Sequence, residues 1–228
     1  MSDFSTLIAR AEALLARLEA VLPQPPAAPD WSASIAFRYR RRGTGGGVLE
    51  PVRHVAPLRL ADLKEVDGQK ERLVRNTAQF VAGRPANNVL LTGARGTGKS
   101  SLIKACLNEF ADRGLRLIEV DKDDLTDLPD LVALVGERPE RFIIYCDDLS
   151  FDEGESGYKA LKSILDGTIA QASDNVLICA TSNRRHLLPE QMKDNLGARH
   201  DDNGELHPGE AIEEKISLSE RFGLWISF

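Results

Sequence analysis

The chain has 228 residues, 42% hydrophobic and 28% charged, enough for one buried core with appendages and too few for two average domains. Its 29 Lys+Arg against 35 Asp+Glu give a net charge of −6, which excludes a general polyanion binder but leaves room for a local basic patch. No run approaches the ~18 consecutive apolar residues of a membrane span, and the N-terminus lacks the basic start of a signal peptide. Cys106, Cys146 and Cys179 show no C-x-x-C spacing, and two of them fall inside apolar runs. The reading is a cytoplasmic protein with reduced, buried thiols and no membrane partner.

Residues 1–22 place Phe4, Ile8, Ala11, Leu15, Leu18 and Leu22 at alternating steps of four and three, and Leu7, Leu14 and Val21 broaden the stripe. With fewer than three heptads this predicts no stable isolated coiled coil, but a helix packed on its own domain or on a sister subunit. Residues 23–59 read as a Pro/Gly-rich linker and basic segment, because Pro23, Pro25 and Pro26 cannot continue the helix. Within it, Arg38, Arg40, Arg41 and Arg42 stand beside Trp31, Phe37 and Tyr39. This is either a surface for nucleic acid or a strand followed by a solvated turn. Gly43, Gly45, Gly46 and Gly47 do not form a dinucleotide fingerprint, because Val48 occupies the last glycine position.

From residue 87 the sequence alternates apolar runs (87–93, 115–120, 141–147, 175–182, 223–228) with helical patterns near 99–112, 127–136, 157–171 and 209–220. Runs that are continuously apolar mark strands buried on both faces, hence a parallel sheet between helices. Asn203-Gly204 within 200–210 predicts a loop or hairpin insertion.

Gly93-Ala94-Arg95-Gly96-Thr97-Gly98-Lys99-Ser100 satisfies G-x-x-x-x-G-K-[ST] between a strand and a helix. Glycines let successive backbone N–H groups close around phosphate oxygens, and the helix N-terminus that includes Ser101 adds partial positive charge. Lys99 is placed for the β- and γ-phosphates of a nucleotide, and Ser100 for Mg²⁺. A carboxylate from a neighbouring strand completes such a metal shell, and Asp147 at the end of 141–147 supplies it, leaving Asp148 to polarise an attacking water. His54, His186, His200 and His207 lack ligand spacing, so no zinc is predicted.

These elements resemble the AAA+ ATPases: the P-loop is similar to Walker A, the strand ending in Asp147-Asp148 to Walker B, and Ala180-Thr181-Ser182-Asn183 to sensor 1. Leu60–Gln69 resembles the box before the P-loop, and Leu218–Gly223 the segment that carries an arginine finger. The phrasing of CDDLSF, ATSNRRHL and EKISLSERFG is nearest to bacterial single-module AAA+ proteins filed as a domain of unknown function. The resemblance implies a three-layer α/β P-loop core over 60–228 with a central parallel sheet in the order 5-1-4-3-2. It implies an adenine pocket around Val66 and Gly68, Asn183 at the lytic water or γ-phosphate, and Arg221 reaching a neighbouring subunit of a homo-oligomer. The family's helical lid, with its sensor 2 arginine, is missing from this chain, and no residue is assigned to that role.

Asp148 stands where most of the family has Glu, one methylene longer, which points to slow turnover. The expectation is an Mg·ATP-binding ATPase, releasing ADP, that hydrolyses ATP at subunit interfaces to remodel or load a protein partner. Two alternatives stay open: a switch or scaffold that scarcely hydrolyses, and a nucleic-acid-associated loader.

Overall fold

The structure, a computed structural model, describes residues 2–21, 28–41, 47–151, 155–167, 174–183, 187, 199–200, 206–207 and 218–228. In chain order the elements begin with α1 (Ser2–Val21), β1 (Ala36–Arg41), β2 (Gly47–Pro51), α2 (Asp67–Val81), β3 (Val89–Thr92), α3 (Lys99–Phe110) and β4 (Leu115–Val120). They continue with α4 (Leu128–Val135), β5 (Arg141–Cys146), α5 (Ser156–Asp166), β6 (Val176–Ser182), β7 (Arg199–His200), β8 (Leu206–His207) and β9 (Leu224–Ser227).

A seven-stranded sheet runs β2-β1-β4-β5-β6-β3-β9. Numbered by themselves, the five apolar runs of the sequence stand in it as 5-1-4-3-2, the order that the AAA+ resemblance implies. Every neighbouring pair is parallel except β2, which runs antiparallel to β1. Successive side chains leave a strand on opposite faces, so each apolar run feeds two cores. Leu90, Ile118, Phe142, Ile144 and Ile178 pack with Leu128, Leu131 and Leu161 of α4 and α5. Val89, Leu91, Leu117, Ile143, Leu177 and Cys179 pack with Leu73 and Phe80 of α2 and Leu102 and Leu107 of α3.

Part of the segment read as linker is sheet. β1 alternates, turning Phe37 and Tyr39 inward while Arg38 and Arg40 stay wetter, and it pairs with β4 from Ala36↔Leu117 to Tyr39↔Val120. Trp31 anchors its start, edge-on to Phe37 and Phe142 with ring centroids 4.8 Å apart in both pairs. Val52 N–H donates to Ala36 O at 2.9 Å, and Ser34 Oγ to Val52 O at 2.8 Å, closing the hairpin on itself.

α1 leaves the described part of its stripe in solvent. Phe4, Leu7, Ile8, Leu14 and Leu15 are all exposed, Phe4 at 73%. β7 and β8 pair antiparallel, Arg199 opposite His207, as a hairpin insertion requires. Asn203-Gly204, Arg42, Gly43, Gly45 and Gly46, Arg184, Arg185 and His186, and 209–217 of the last predicted helix lie outside the described residues. Among the described residues no helix is long and apolar enough to cross a membrane.

Candidate functional site

The site forms where the carboxyl ends of β3, β5 and β6 meet the start of α3. Gly93 N–H donates to Ser182 O at 3.2 Å, fixing the loop after β3 against β6. Gly93 has φ +145°, and a Cβ there would lie 2.8 Å from Phe228 O, so only glycine fits between the loop and the strand beside it. Gly98, left-handed at φ 98°, is the N-cap of α3 and turns the chain sharply into the helix. The N–H groups of the first helical turn that follows have no acceptor within the helix, which is the chemistry of an anion site.

Lys99 is 6% exposed and holds the loop in shape. Its Nζ donates to Gly93 O at 2.8 Å, to Ala94 O at 2.7 Å and to Asn183 Oδ1 at 3.1 Å. Burial lowers its pKa against the raising influence of Asp147 and Asp148. Thr97 Oγ1 donates to Ala94 O at 2.9 Å and tightens the same turn.

Asp147 and Asp148 face different partners. Asp147 Oδ1 accepts from Ser100 Oγ at 2.8 Å and from Thr181 Oγ1 at 2.5 Å. Burial works against its carboxylate, but the hydrogen bonds from Thr181 and Ser100 outweigh that and hold its pKa below the ordinary aspartate value. Asp148 sits at φ 51°, a strained conformation for a non-glycine residue, kept there by its N–H to Thr181 Oγ1 at 2.9 Å. Its carboxylate accepts from Asn183 Nδ2 and, at 3.2 Å, from the Arg95 guanidinium. A cleft of about 300 Å³ lies over this network, and Gly96, Gly98, Ser100 and Ser101 line it together with the charged groups. Ser100 and Asp147 present adjacent oxygens, the donor type a hard divalent cation takes.

The family described as "Protein of unknown function (DUF815)" matches residues 32–228. The chain belongs to this DUF815 family. No curated protein matches it in sequence. Solved structures that match include a mutant of Thermotoga maritima RuvB, at 15% identity and TM-score 0.49, over 76% of this chain and 49% of that one. DnaI matches at 20% identity and TM-score 0.46, over 74% and 86%. C. elegans PCH-2 matches at 17% identity and TM-score 0.41, over 71% and 41%. The DUF815 chain thus spans about half the length of the RuvB structure. With its sheet order and the glycine loop between β3 and α3, its fold is the AAA+ type of P-loop nucleotide-binding fold.

Other sequence-predicted residues of the DUF815 chain lie outside this cleft. Val66 and Gly68 do not line it; Val66 precedes α2, where its carbonyl accepts from Lys70 N–H at 2.9 Å. The start of α2 is tied instead to β9, Gln69 Nε2 donating to Ser227 O at 3.0 Å and Arg72 to Trp225 O at 2.8 Å. Arg221 is bonded to Asp166 at the end of α5. In the basic segment Arg38 meets Glu119 at 2.8 Å, Arg41 meets Asp127 at 3.6 Å, and Arg40 lies 4.0 Å from Glu50. Those cations are compensated within the fold.

Two residues gain a place that the sequence did not give them. Thr181, inside the sensor-like run, joins both aspartates, a position that depends on β5 and β6 being neighbours. Tyr145, one residue before the strand end, is 1% exposed, and among the described residues its hydroxyl meets no partner at hydrogen-bond geometry. Burial beside Asp147 pushes its pKa up.

Proposed function

We propose that this protein binds Mg·ATP in the cleft and hydrolyses it slowly, releasing ADP, within an assembly of its own copies that acts on a protein partner. The observation that carries the reading is the Lys99 ammonium, buried inside its own glycine loop and bonded across to Asn183. An ammonium held by backbone carbonyls and one amide can exchange these weak acceptors for phosphate oxygens, a charge-assisted gain. Gly93, Ala94, Arg95, Gly96, Thr97 and Gly98 supply the cradle, with the N–H groups that open α3 at Ser100 and Ser101. Ser100 and Asp147 would hold Mg²⁺, which when bound neutralises phosphate charge. Asp148 accepts the proton of the lytic water, and Asn183 orients that water. Val66 and Gly68 border the adenine. The three buried thiols suit a reducing cytoplasm.

Arg221 would act on the nucleotide of a neighbouring copy, exchanging Asp166 for phosphate; a finger of this kind accelerates related reactions about 10³–10⁵-fold. A switch that holds ATP with little hydrolysis is the second reading. It is favoured by one observation: the Asp148 carboxylate is already engaged by both Arg95 and Asn183.

Thermal unfolding with and without ATP tests the binding. At ~100-fold over Kd a ligand adds about 2.7 kcal/mol, which for a chain of this size raises Tm by about 5–10 °C. Lys99→Ala is expected to lose that increment, and an undiminished shift in the variant refutes the site. ATPase rate per chain, measured against protein concentration, separates the two readings. Rising turnover that Arg221→Ala abolishes supports interface hydrolysis; negligible turnover with intact binding supports the switch.

A further inference from the structure

We propose that α1 is a self-association helix that joins copies of this chain in parallel, by a contact separate from the nucleotide cleft. Three columns make its apolar face: Phe4 and Ala11, Ile8 and Leu15, Leu7 and Leu14, each pair seven residues apart on a continuous helix from Ser2 to Val21. All of these residues are exposed, so among the described residues nothing of its own chain covers the face.

The charges beside the face select the occupant. Arg10 and Arg17 border the Leu7–Leu14 column, at steps of three and four from it. Glu12 borders the Ile8–Leu15 column on the other side, and the sequence repeats the acid seven residues on, at Glu19. One edge of the stripe is therefore basic and the other acidic. Copies related by rotation about an axis along the helix bring unlike edges together, arginine against glutamate. An antiparallel pair brings arginine to arginine and glutamate to glutamate, which is repulsive on both edges. A lipid surface fits poorly, because Asp3, Glu12 and Glu19 outweigh Arg10 and Arg17, and the face opposite the stripe carries Ala9 and Ala13 rather than lysine or arginine.

The stripe is short, so association by α1 alone is weak. Tethered to cores that also touch, it raises their effective concentration. A groove of about 730 Å³ between Ile35, Leu58, Leu60 and Ala105 is the rival seat for α1 of the same chain.

Sedimentation of the full chain without nucleotide tests the association. It is expected to show reversible assembly whose midpoint moves up about tenfold or more when Leu7→Glu and Leu14→Glu are combined. Unchanged melting of that double variant confirms an intact core. Direction is read with a short bismaleimide: Phe4→Cys should give a covalent dimer through its own counterpart, and Ala13→Cys, on the outer face, little of one. The native cysteines are buried and stay silent. Four results refute the proposal: a monomer throughout, association indifferent to the double variant, equal cross-linking at both positions, or lowered melting of the double variant with unchanged sedimentation, which would put α1 in the groove. Binding to anionic vesicles in place of self-association refutes it as well.

Discussion

Lys99 Nζ donates to Asn183 Oδ1 at 3.1 Å, so the glycine loop after β3 and the end of β6 share one hydrogen bond. Asn183 passes the connection on, its Nδ2 donating to the Asp148 carboxylate at the end of β5. A single amide thus orients both the cation proposed to meet phosphate and the carboxylate proposed to meet water. Asn183→Ala breaks both contacts while leaving the glycine loop its own backbone geometry. The expected outcome is turnover reduced about 10²-fold, with ATP affinity changed by about threefold or less. Single-turnover hydrolysis beside equilibrium binding of a fluorescent nucleotide measures the two separately. Equal loss of affinity and rate would mean that Asn183 shapes the phosphate pocket instead.

Thr181 has a different task, because it is 1% exposed and serves both aspartates. Its hydroxyl donates to Asp147 Oδ1 at 2.5 Å and accepts from Asp148 N–H at 2.9 Å. Valine keeps the shape and deletes both bonds, leaving the N–H of the strained left-handed Asp148 only its longer bond to Asp147 Oδ1 at 3.2 Å. Thr181→Val should cost about 1–3 kcal/mol. Thr181→Ser should recover most of it. Denaturant unfolding of the nucleotide-free protein checks this, and a neutral Thr181→Val would show that Asp147 alone holds Asp148 in place.

The parts of this site that were legible in sequence are those where backbone chemistry dictates residue type. The run from Gly93 to Ser100 needs glycines at fixed steps, and Gly93 and Gly98 do take positive φ. β3, β5 and β6 were legible because both of their faces are covered, which forces unbroken apolar runs. α2 was not. Only Leu73, Asn76, Thr77 and Phe80 of its fifteen residues are buried, and two of those four are polar. Asn76 is kept inside by reciprocal bonds with the Asn87 backbone, Nδ2 to O at 2.9 Å and N to Oδ1 at 3.0 Å, a pairing that no periodicity announces. β1 read as a strand, but its seat against β4 depends on Trp31 finding Phe142, more than a hundred residues away. The double role of Thr181 likewise arises only when β5 and β6 lie side by side.

The cysteines give a direct check on the two cores. Cys106, Cys146 and Cys179 are each 1% exposed. Burial pushes the thiols of Cys106 and Cys146 up to about 12 and that of Cys179 up as well. The thiolate is the reactive species, so native protein should give no reaction with a thiol reagent near neutral pH. All three should react once denaturant opens the sheet. Reaction of Cys106 in native protein would show that α3 opens locally from the sheet.

Arg138 and Glu140 supply a pH response far from the cleft. Arg138 Nε and a terminal nitrogen meet the two Glu140 oxygens at 3.1 and 2.9 Å, and the guanidinium lies 5.8 Å from the centre of the Trp31 ring. The hydrogen bond from Arg138 outweighs burial and holds the Glu140 pKa below the ordinary glutamate value. A depressed carboxylate stabilises the fold above its unfolded pKa of about 4.3, and that contribution is lost as pH falls through the lower folded value. Glu140→Gln should therefore be less stable than the parent at neutral pH, with the two curves converging as pH drops from about 5 to about 3. Arg138 is 41% exposed, so added salt should shrink the difference. Denaturant midpoints for both proteins across that range decide it. A gap that stays constant with pH would assign the effect to lost packing against Arg138 rather than to charge.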